Sequence, residues 1–256
     1  MNIRFLGAHN RESPTTSCIC LLIDNTLAID AGGLTSNLSV SEQEKLNAIL
    51  VTHQHYDHIR DIPGIALNFS LQGAHIKVYS TENVLNTIEA HLLNGTVYPK
   101  FQNLPVTKPA VILNLVKPYQ PENINGHRIL AIPVRHVEKT VGYEVSDRHG
   151  KTLFYTADTG PGLSDCWEYI SPQLLIIDVT LPNSHEEFAR ETGHLTPDLL
   201  KQELLIFREH KGYLPQIIAI HMDPGLEQKI REELYAVARV LDVAISVAQE
   251  NGQLII

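Results

Sequence analysis

The sequence predicts an α/β fold built from two similar layers, and three observations carry that reading. Apolar runs rich in β-branched residues, bounded by Gly, Asn and Asp turns, recur along the chain. The first half is strand-rich, whereas helical patterns separate the later strands of the second half. Of 256 residues, 43% are hydrophobic and 19% charged, enough apolar material for a sizeable core and far too much for a disordered chain. Nothing reads as a linker, repeat or low-complexity segment, so a single domain over residues 1–256 is expected.

The early strands are expected at Ile3 to Leu6, Ile19 to Ile23, Leu27 to Ile29 and Ala48 to Val51. Ser41 with Glu44 three residues later has the pattern of a capping box and predicts a short helix before the last of these. Pro63 to Gln72 and Thr81 to Leu92 read as helices. Tyr98 to Pro121 holds five of the chain's 14 prolines and must be largely non-helical, as a surface crossover or as a wall over a site. Further strands are expected at Arg128 to Val134, Thr140 to Val145, Thr152 to Thr156, Leu174 to Val179 and Gln216 to His221. Thr196-Pro197 and Asp223-Pro224 each place a capping side chain before a proline at the first helical position. Leu226, Ile230, Leu234, Val237 and Leu241 trace one face of a closing helix. Glu250-Asn251-Gly252 then predicts a final hairpin between Ala244 to Ala248 and Leu254 to Ile256.

Charge and composition narrow the function classes. Lys and Arg number 20 against 29 Asp and Glu, a formal net charge of −9, which disfavours a long nucleic acid as partner. Runs such as Cys18 to Ile23 fall short of the roughly 18 to 20 apolar residues that cross a bilayer, so no membrane partner is expected. The N-terminus lacks the basic and long apolar segments of a secretory signal. Cys18, Cys20 and Cys166 form no disulfide framework and fit small buried side chains in a reducing cytoplasm.

The chemistry concentrates in Thr52-His53-Gln54-His55-Tyr56-Asp57-His58, directly after an apolar strand. Imidazole and carboxylate are the usual nitrogen and oxygen ligands of zinc-like cations. Residues two apart in an extended segment point to the same side, so His53 and His55 can grip one ion while Asp57 and His58 remain for another. Two ions need more ligands than one loop provides. Single residues at the ends of later strands supply candidates: His136, Asp158 in Ala157-Asp158-Thr159-Gly160, and His221.

This order, HxHxDH followed by a single His, an Asp and a last His, resembles the metallo-β-lactamase superfamily over essentially the whole chain. Phe5-Leu6-Gly7 and the LAIDAGG stretch from Leu27 to Gly33 are also similar to that superfamily's opening strands. The resemblance implies an αββα sandwich, two mixed sheets covered by helices. It also implies His53, His55 and His136 on one ion, Asp57, His58 and His221 on the other, and Asp158 bridging both. Two divalent ions are therefore expected, zinc first, with manganese or iron as alternatives. A close pair of cations makes a nucleophile of a shared water and offsets charge on the group attacked, so hydrolysis is the expected reaction.

Substrate class turns on Asp178-Val179-Thr180-Leu181-Pro182-Asn183 and Gly193-His194-Leu195-Thr196-Pro197. These resemble class II cyclic-nucleotide phosphodiesterases, and GHLTP is also similar to the histidine motif of tRNase Z. The interval from His136 to Asp158 is too short for the tRNA-clasping insertion that such enzymes generally carry there, which points to a small phosphodiester. His194 is then the candidate catalytic and substrate-binding residue, able to contact a phosphate oxygen or protonate a departing alkoxide. Asp57 is the other residue given a catalytic role, through its ion. Asp178 is expected to orient His194 or a ligand. Arg11, on the loop after the first strand with His9, is a candidate substrate-anion contact, and Arg60, Arg135 and Lys139 are further cations of that kind. A metal-dependent ester, lactone or thioester hydrolase would use the same ligands. A diiron oxygen-binding protein is the alternative of a different class, although its relatives usually carry Glu where His55 stands. Dimers are common among similar proteins, so a homodimer is a further expectation.

Overall fold

The computed structural model describes residues 1–137 and 139–256. Six strands come from the first half: β1 (Asn2–Gly7), β2 (Cys20–Ile23), β3 (Leu27–Ile29), β4 (Ala48–Leu50), β5 (Ile76–Ser80) and β6 (Val111–Leu115). Seven come from the second: β7 (Glu122–Ile124), β8 (His127–Pro133), β9 (Val141–Ser146), β10 (Thr152–Tyr155), β11 (Leu174–Asp178), β12 (Gln216–Ile220) and β13 (Ile245–Val247). β14 (Gln253–Ile255) returns to the first sheet, whose order is β14-β1-β2-β3-β4-β5-β6; the second runs β13-β12-β11-β10-β9-β8-β7. Both sheets are mixed, with parallel pairing on the β3 to β6 and β10 to β13 sides.

The side-chain alternation of β-strands explains how the layers stack. Ile3, Phe5, Leu21 and Ile23 of the first sheet meet Tyr143, Leu153, Tyr155 and Ile176 of the second in one buried cluster between the sheets. Their neighbours Leu6, Cys20 and Leu22 point the other way, into a cluster closed by α1 (Leu34–Asn37), α3 (Tyr56–Ile59), α4 (Ile62–Leu71) and α5 (Glu82–Thr87), with α2 (Val40–Gln43) lying outside it. The outer face of the second sheet is covered by α6 (Ser164–Tyr169), α7 (Glu186–Thr192), α8 (Pro197–Lys211) and α9 (Glu227–Leu241) around Trp167 and Phe207. The result is the αββα sandwich. Burial on both faces is why these strands read as unbroken apolar runs.

Several local expectations shift. The capping interaction sits two residues earlier than Ser41: the Glu42 carboxylate accepts the Ser39 N–H at 3.0 Å and its hydroxyl at 2.8 Å. Thr196 caps α8 as expected, accepting from the Leu199 N–H. Asp223 instead opens a turn, its carboxylate accepting the Gly225 N–H at 2.7 Å, and α9 starts only at Glu227. The helix from Thr81 continues past Thr87 as a π-helical turn through Ile88–Leu92. The proline-rich stretch contains β6, which pairs parallel to β5 at Ile76 and Val111 and so supplies the sheet's edge. The final hairpin does not form. β13 pairs with β12 and β14 with β1, so the Glu250 turn carries the chain from one sheet to the other. Parallel and antiparallel neighbours already in place offer each segment a full ladder that a lone two-stranded hairpin cannot match.

Among the described residues no helix is long and apolar enough to cross a membrane.

Candidate metal centre

The site lies at one edge of the sandwich, beyond the ends of β4, β10, β11 and β12. His53 and His55 follow β4 in extended backbone, and Asp57 and His58 sit on the short α3 that comes next. Gly32 makes this approach possible, because a Cβ there would lie 2.0 Å from the Asp57 carbonyl oxygen. His136 is on the loop between β8 and β9, Asp158 on the turn after β10, and His221 directly after β12. His221 has a φ of 69° and Ala157, beside Asp158, one of 59°; such backbone is costly for residues with a Cβ and persists where surrounding contacts enforce it.

These side chains form two groups. Ligand atoms of His53, His55, His136 and Asp158 all lie within 4.8 Å of one another, as do those of Asp57, His58, Asp158 and His221. Asp158 belongs to both, and its carboxylate is 2% exposed. Close pairs within the two groups include His136 Nε2 and His55 Nδ1 at 3.1 Å and His53 Nε2 and Asp158 Oδ2 at 3.7 Å. A tetrahedral set of donors about 2.0–2.1 Å from an ion spaces its members roughly 3.3 Å apart, so the residues fit divalent cations of zinc size. The buried atoms His53 Nε2, His58 Nε2 and Asp158 Oδ1 have no hydrogen-bond partner. His58 Nε2 is 3.3 Å from Asp158 Oδ1, yet the two are not aligned for a hydrogen bond. Three unpaired polar atoms buried side by side are what a bound cation would satisfy.

A proton inventory shows how the imidazoles are prepared. The Thr52 hydroxyl donates to Asp30 at 3.0 Å and therefore accepts from His53 Nδ1 at 3.0 Å. The Thr180 hydroxyl donates to Asp178 at 2.6 Å and likewise accepts from His221 Nδ1 at 2.8 Å. His58 Nδ1 donates to Asp30 at 2.8 Å, and His136 Nδ1 to the Gly193 carbonyl at 3.0 Å. Each bond engages Nδ1, so in the neutral ring Nε2 is the atom that would face an ion. Burial holds His53, His55 and His136 below the ordinary imidazole value, the neutral state a ligand needs. His58 is pushed well above it; burial opposes this, but Asp158 and Asp30 outweigh it. Asp158 and Asp57 are held far below the usual carboxylate range despite burial, in both cases by the neighbouring His221 and His58.

His194 lies beside the second group. Its Nδ1 is 2.7 Å from Asp178 Oδ2, and its ring stacks on that of His221 with centroids 5.3 Å apart. Burial lowers its proton affinity, but Asp178 more than compensates and raises the value to about 9. The candidate cations are less convergent. Arg11 is 61% exposed and pairs with Asp223 at 2.6 Å, Arg60 pairs with Glu12, and Arg135 pairs with Asp165 at 3.2 Å.

Residues without an expected role, Asp30, Thr52, Thr180 and Glu250, complete the surroundings together with His9, whose loop the sequence placed near the site. Asp30, within LAIDAGG, takes bonds from Thr52, His58 and the Tyr155 hydroxyl. Thr180 and Thr52 relay the other carboxylate contacts. His9 Nδ1 is 2.6 Å from Glu250 and its Nε2 is 3.2 Å from Glu227, while the backbone around it binds the His221 segment through Ala8 O and Met222 O. A Thr or Asp adjoining a ligand in sequence is a usable signal, but Glu250 is brought in from the far end of the chain and leaves none.

Architecture and side-chain arrangement together define a protein class. Residues 21–222 match the model of the beta-lactamase superfamily domain, and the chain belongs to that family. A UPF0173 metal-dependent hydrolase of Myxococcus xanthus (strain DK1622) is 28% identical over 147 residues, covering 54% of this chain and 47% of the relative, so the match spans about half of that relative's length. Among solved structures, unliganded yeast PDE1 aligns with a TM-score of 0.83 at 14% identity, covering 100% of this chain and 99% of that one. The metallo-beta-lactamase fold protein YhfI from Bacillus subtilis gives 0.75 at 18% identity, covering 99% and 98%. Human tRNase Z, short form, gives 0.69 at 18% identity, covering 100% and 99%. These likenesses establish a shared fold.

Proposed function

We propose that the protein is a dinuclear metal-dependent hydrolase acting on a small phosphodiester such as a cyclic nucleotide. The observation supporting this reading is a carboxylate, Asp158, shared by two sets of ligand atoms, with the Asp178–His194 pair alongside. His53, His55, His136 and Asp158 would hold one ion and Asp57, His58, Asp158 and His221 the other. Bound there, two divalent cations supply an acidified water and a counter-charge for the group attacked. The nitrogen-rich donors favour zinc and also accommodate manganese or iron.

The chain's own residues account for the rest. Asp178 accepts the Nδ1 proton of His194 and so turns Nε2 away from itself as the atom available to substrate. With its proton affinity raised to about 9, His194 is an imidazolium at neutral pH, suited to pair with a phosphate oxygen or to protonate an alkoxide as it leaves. Arg11 is a candidate anion contact, because an exposed ion pair like that with Asp223 is worth only about 0.2–1 kcal/mol and yields readily to a substrate.

Metal analysis of the purified protein, followed by hydrolysis assays on a cyclic nucleotide, a chromogenic phosphodiester, a lactone and a thioester, tests the proposal. Two ions per chain with cleavage of the phosphodiesters is the expected result. Turnover of the lactone or thioester alone would transfer the site to carboxyl chemistry. Bound iron with oxygen-sensitive visible absorption and no hydrolysis would make it an oxygen-binding protein.

A further inference from the structure

We infer that Glu203, a buried carboxylate on α8 outside both ligand groups, is a positioning residue of the metal centre: it fixes the turn after Asp158 and, through that turn, the backbone of His136. The inference rests on the reading of His53, His55, Asp57, His58, His136, Asp158 and His221 as metal ligands and deepens it.

Glu203 is 2% exposed and shares the buried face of α8 with Leu199, Leu200, Leu204 and Phe207. An ionisable side chain is rarely kept in such a place unless its oxygens are used. Both are used here. Oε1 accepts the Gly162 N–H at 2.7 Å and Oε2 accepts the Leu163 N–H at 3.1 Å. These donors lie between β10 and α6, where no strand or helix ladder serves them, and Gly162 turns the chain there at φ 104°.

Alone, the two bonds would only cap the start of α6; the other end of the same turn ties them to the centre. Thr159, directly after Asp158, donates its N–H to Asp178 Oδ2 at 3.0 Å, so two buried carboxylates hold the turn at its two ends. Between those ends the turn grips the residue before His136. The Gly160 N–H donates to the Arg135 carbonyl at 2.5 Å, the Thr159 hydroxyl accepts the Arg135 N–H at 3.2 Å, and the Gly162 carbonyl accepts Arg135 Nε–H at 3.3 Å. The packing is close: a Cβ on Gly160 would lie 3.2 Å from Gly193 Cα and 3.3 Å from the Arg135 carbonyl oxygen. A shift of residues 159–163 therefore displaces Asp158, common to both ligand groups, together with His136.

The chemistry of the side chain matters as well as its size. Glutamine at this position would offer one acceptor oxygen and turn an amide N–H toward a backbone N–H. The test is zinc binding by Glu203→Gln and by Leu204→Ala, a core truncation at the next position of the same helix, each titrated against a chelator beside the parent protein and paired with its Tm. Glu203→Gln should lose about 10- to 100-fold in zinc affinity, the scale for removing a group that supports a metal ligand. Leu204→Ala should lower Tm and keep the parent's affinity. Parent-like affinity in Glu203→Gln, or equal losses in the two variants, would reduce Glu203 to a cap of α6. Should Glu203→Gln not fold, Glu203→Asp takes its place, keeping both oxygens on a stem one methylene shorter; a weakened site is expected, and an unchanged one overturns the proposal. None of these measurements needs turnover. A protein that binds zinc and cleaves no phosphodiester would end the hydrolase reading while the titrations still decide the role of Glu203, whereas a parent protein that takes up no divalent metal would overturn both.

Discussion

At the level of single residues, the centre depends on protons being in particular places. Asp158 is the one carboxylate common to both ligand groups, so Asp158→Ala should abolish binding of both ions, which elemental analysis would show as loss of metal from the purified variant. His194→Ala should keep its metal and lose about 10²- to 10⁴-fold in kcat, the scale of proton transfer by a positioned group. Its pH behaviour follows from the sign of its shift. Raised to about 9 by Asp178, His194 carries its proton at neutral pH and gives it up as pH climbs through that value, so kcat should fall on the alkaline side. Asp178→Asn removes the counter-charge, and the alkaline limb of the profile should move to lower pH. An unmoved limb in Asp178→Asn would disconnect His194 from proton transfer.

At the level of elements, short connections set the precision of the site. Gly193 ends α7 in left-handed backbone at φ 73°, and a Cβ there would sit 2.9 Å from His136 Nδ1. Gly193→Ala therefore strains the turn by about 1 kcal/mol and pushes on the imidazole whose Nδ1 its own carbonyl fixes. The expected result is a modest drop in thermal stability with a larger loss of affinity at the His53, His55 and His136 group, measured by metal titration against a chelator. HxHxDH at a strand end, the single residues closing later strands and the Thr196 cap were legible because each is a local arrangement of a few neighbouring positions. The Asp223 turn was not: Asp before Pro has the same appearance whether it caps a helix or accepts its own backbone two residues on.

Across the whole molecule, the C-terminal turn ties the sheets to the site. Glu250 accepts the Ala8 and Ser17 N–H groups and His9, and Ala8 in turn holds the His221 backbone N–H at 2.8 Å. Burial works against a charged His9, but Glu250 and Glu227 raise its proton affinity above the ordinary 6.5. A group raised on folding stabilises fully below its unfolded value and loses that contribution as pH passes through the folded one. Glu250→Gln should therefore lower Tm more at pH 6 than at alkaline pH, a difference that paired melting curves would reveal. A uniform loss at all pH values would assign Glu250 a purely backbone role.

The sequence by itself determined the layered α/β architecture, through runs of apolar residues whose only stable home is a sheet covered on both faces, and it named the clustered imidazoles and carboxylates. Only the tertiary structure decided how they are used. Whether β13 and β14 join each other or separate partners, which threonine relays which proton, and that Asp30 and Glu250 anchor the centre all depend on atoms brought together from distant positions. Hydrogen bonds of 2.6 to 3.3 Å between residues up to 242 positions apart leave no periodic trace along a chain, whereas burial does.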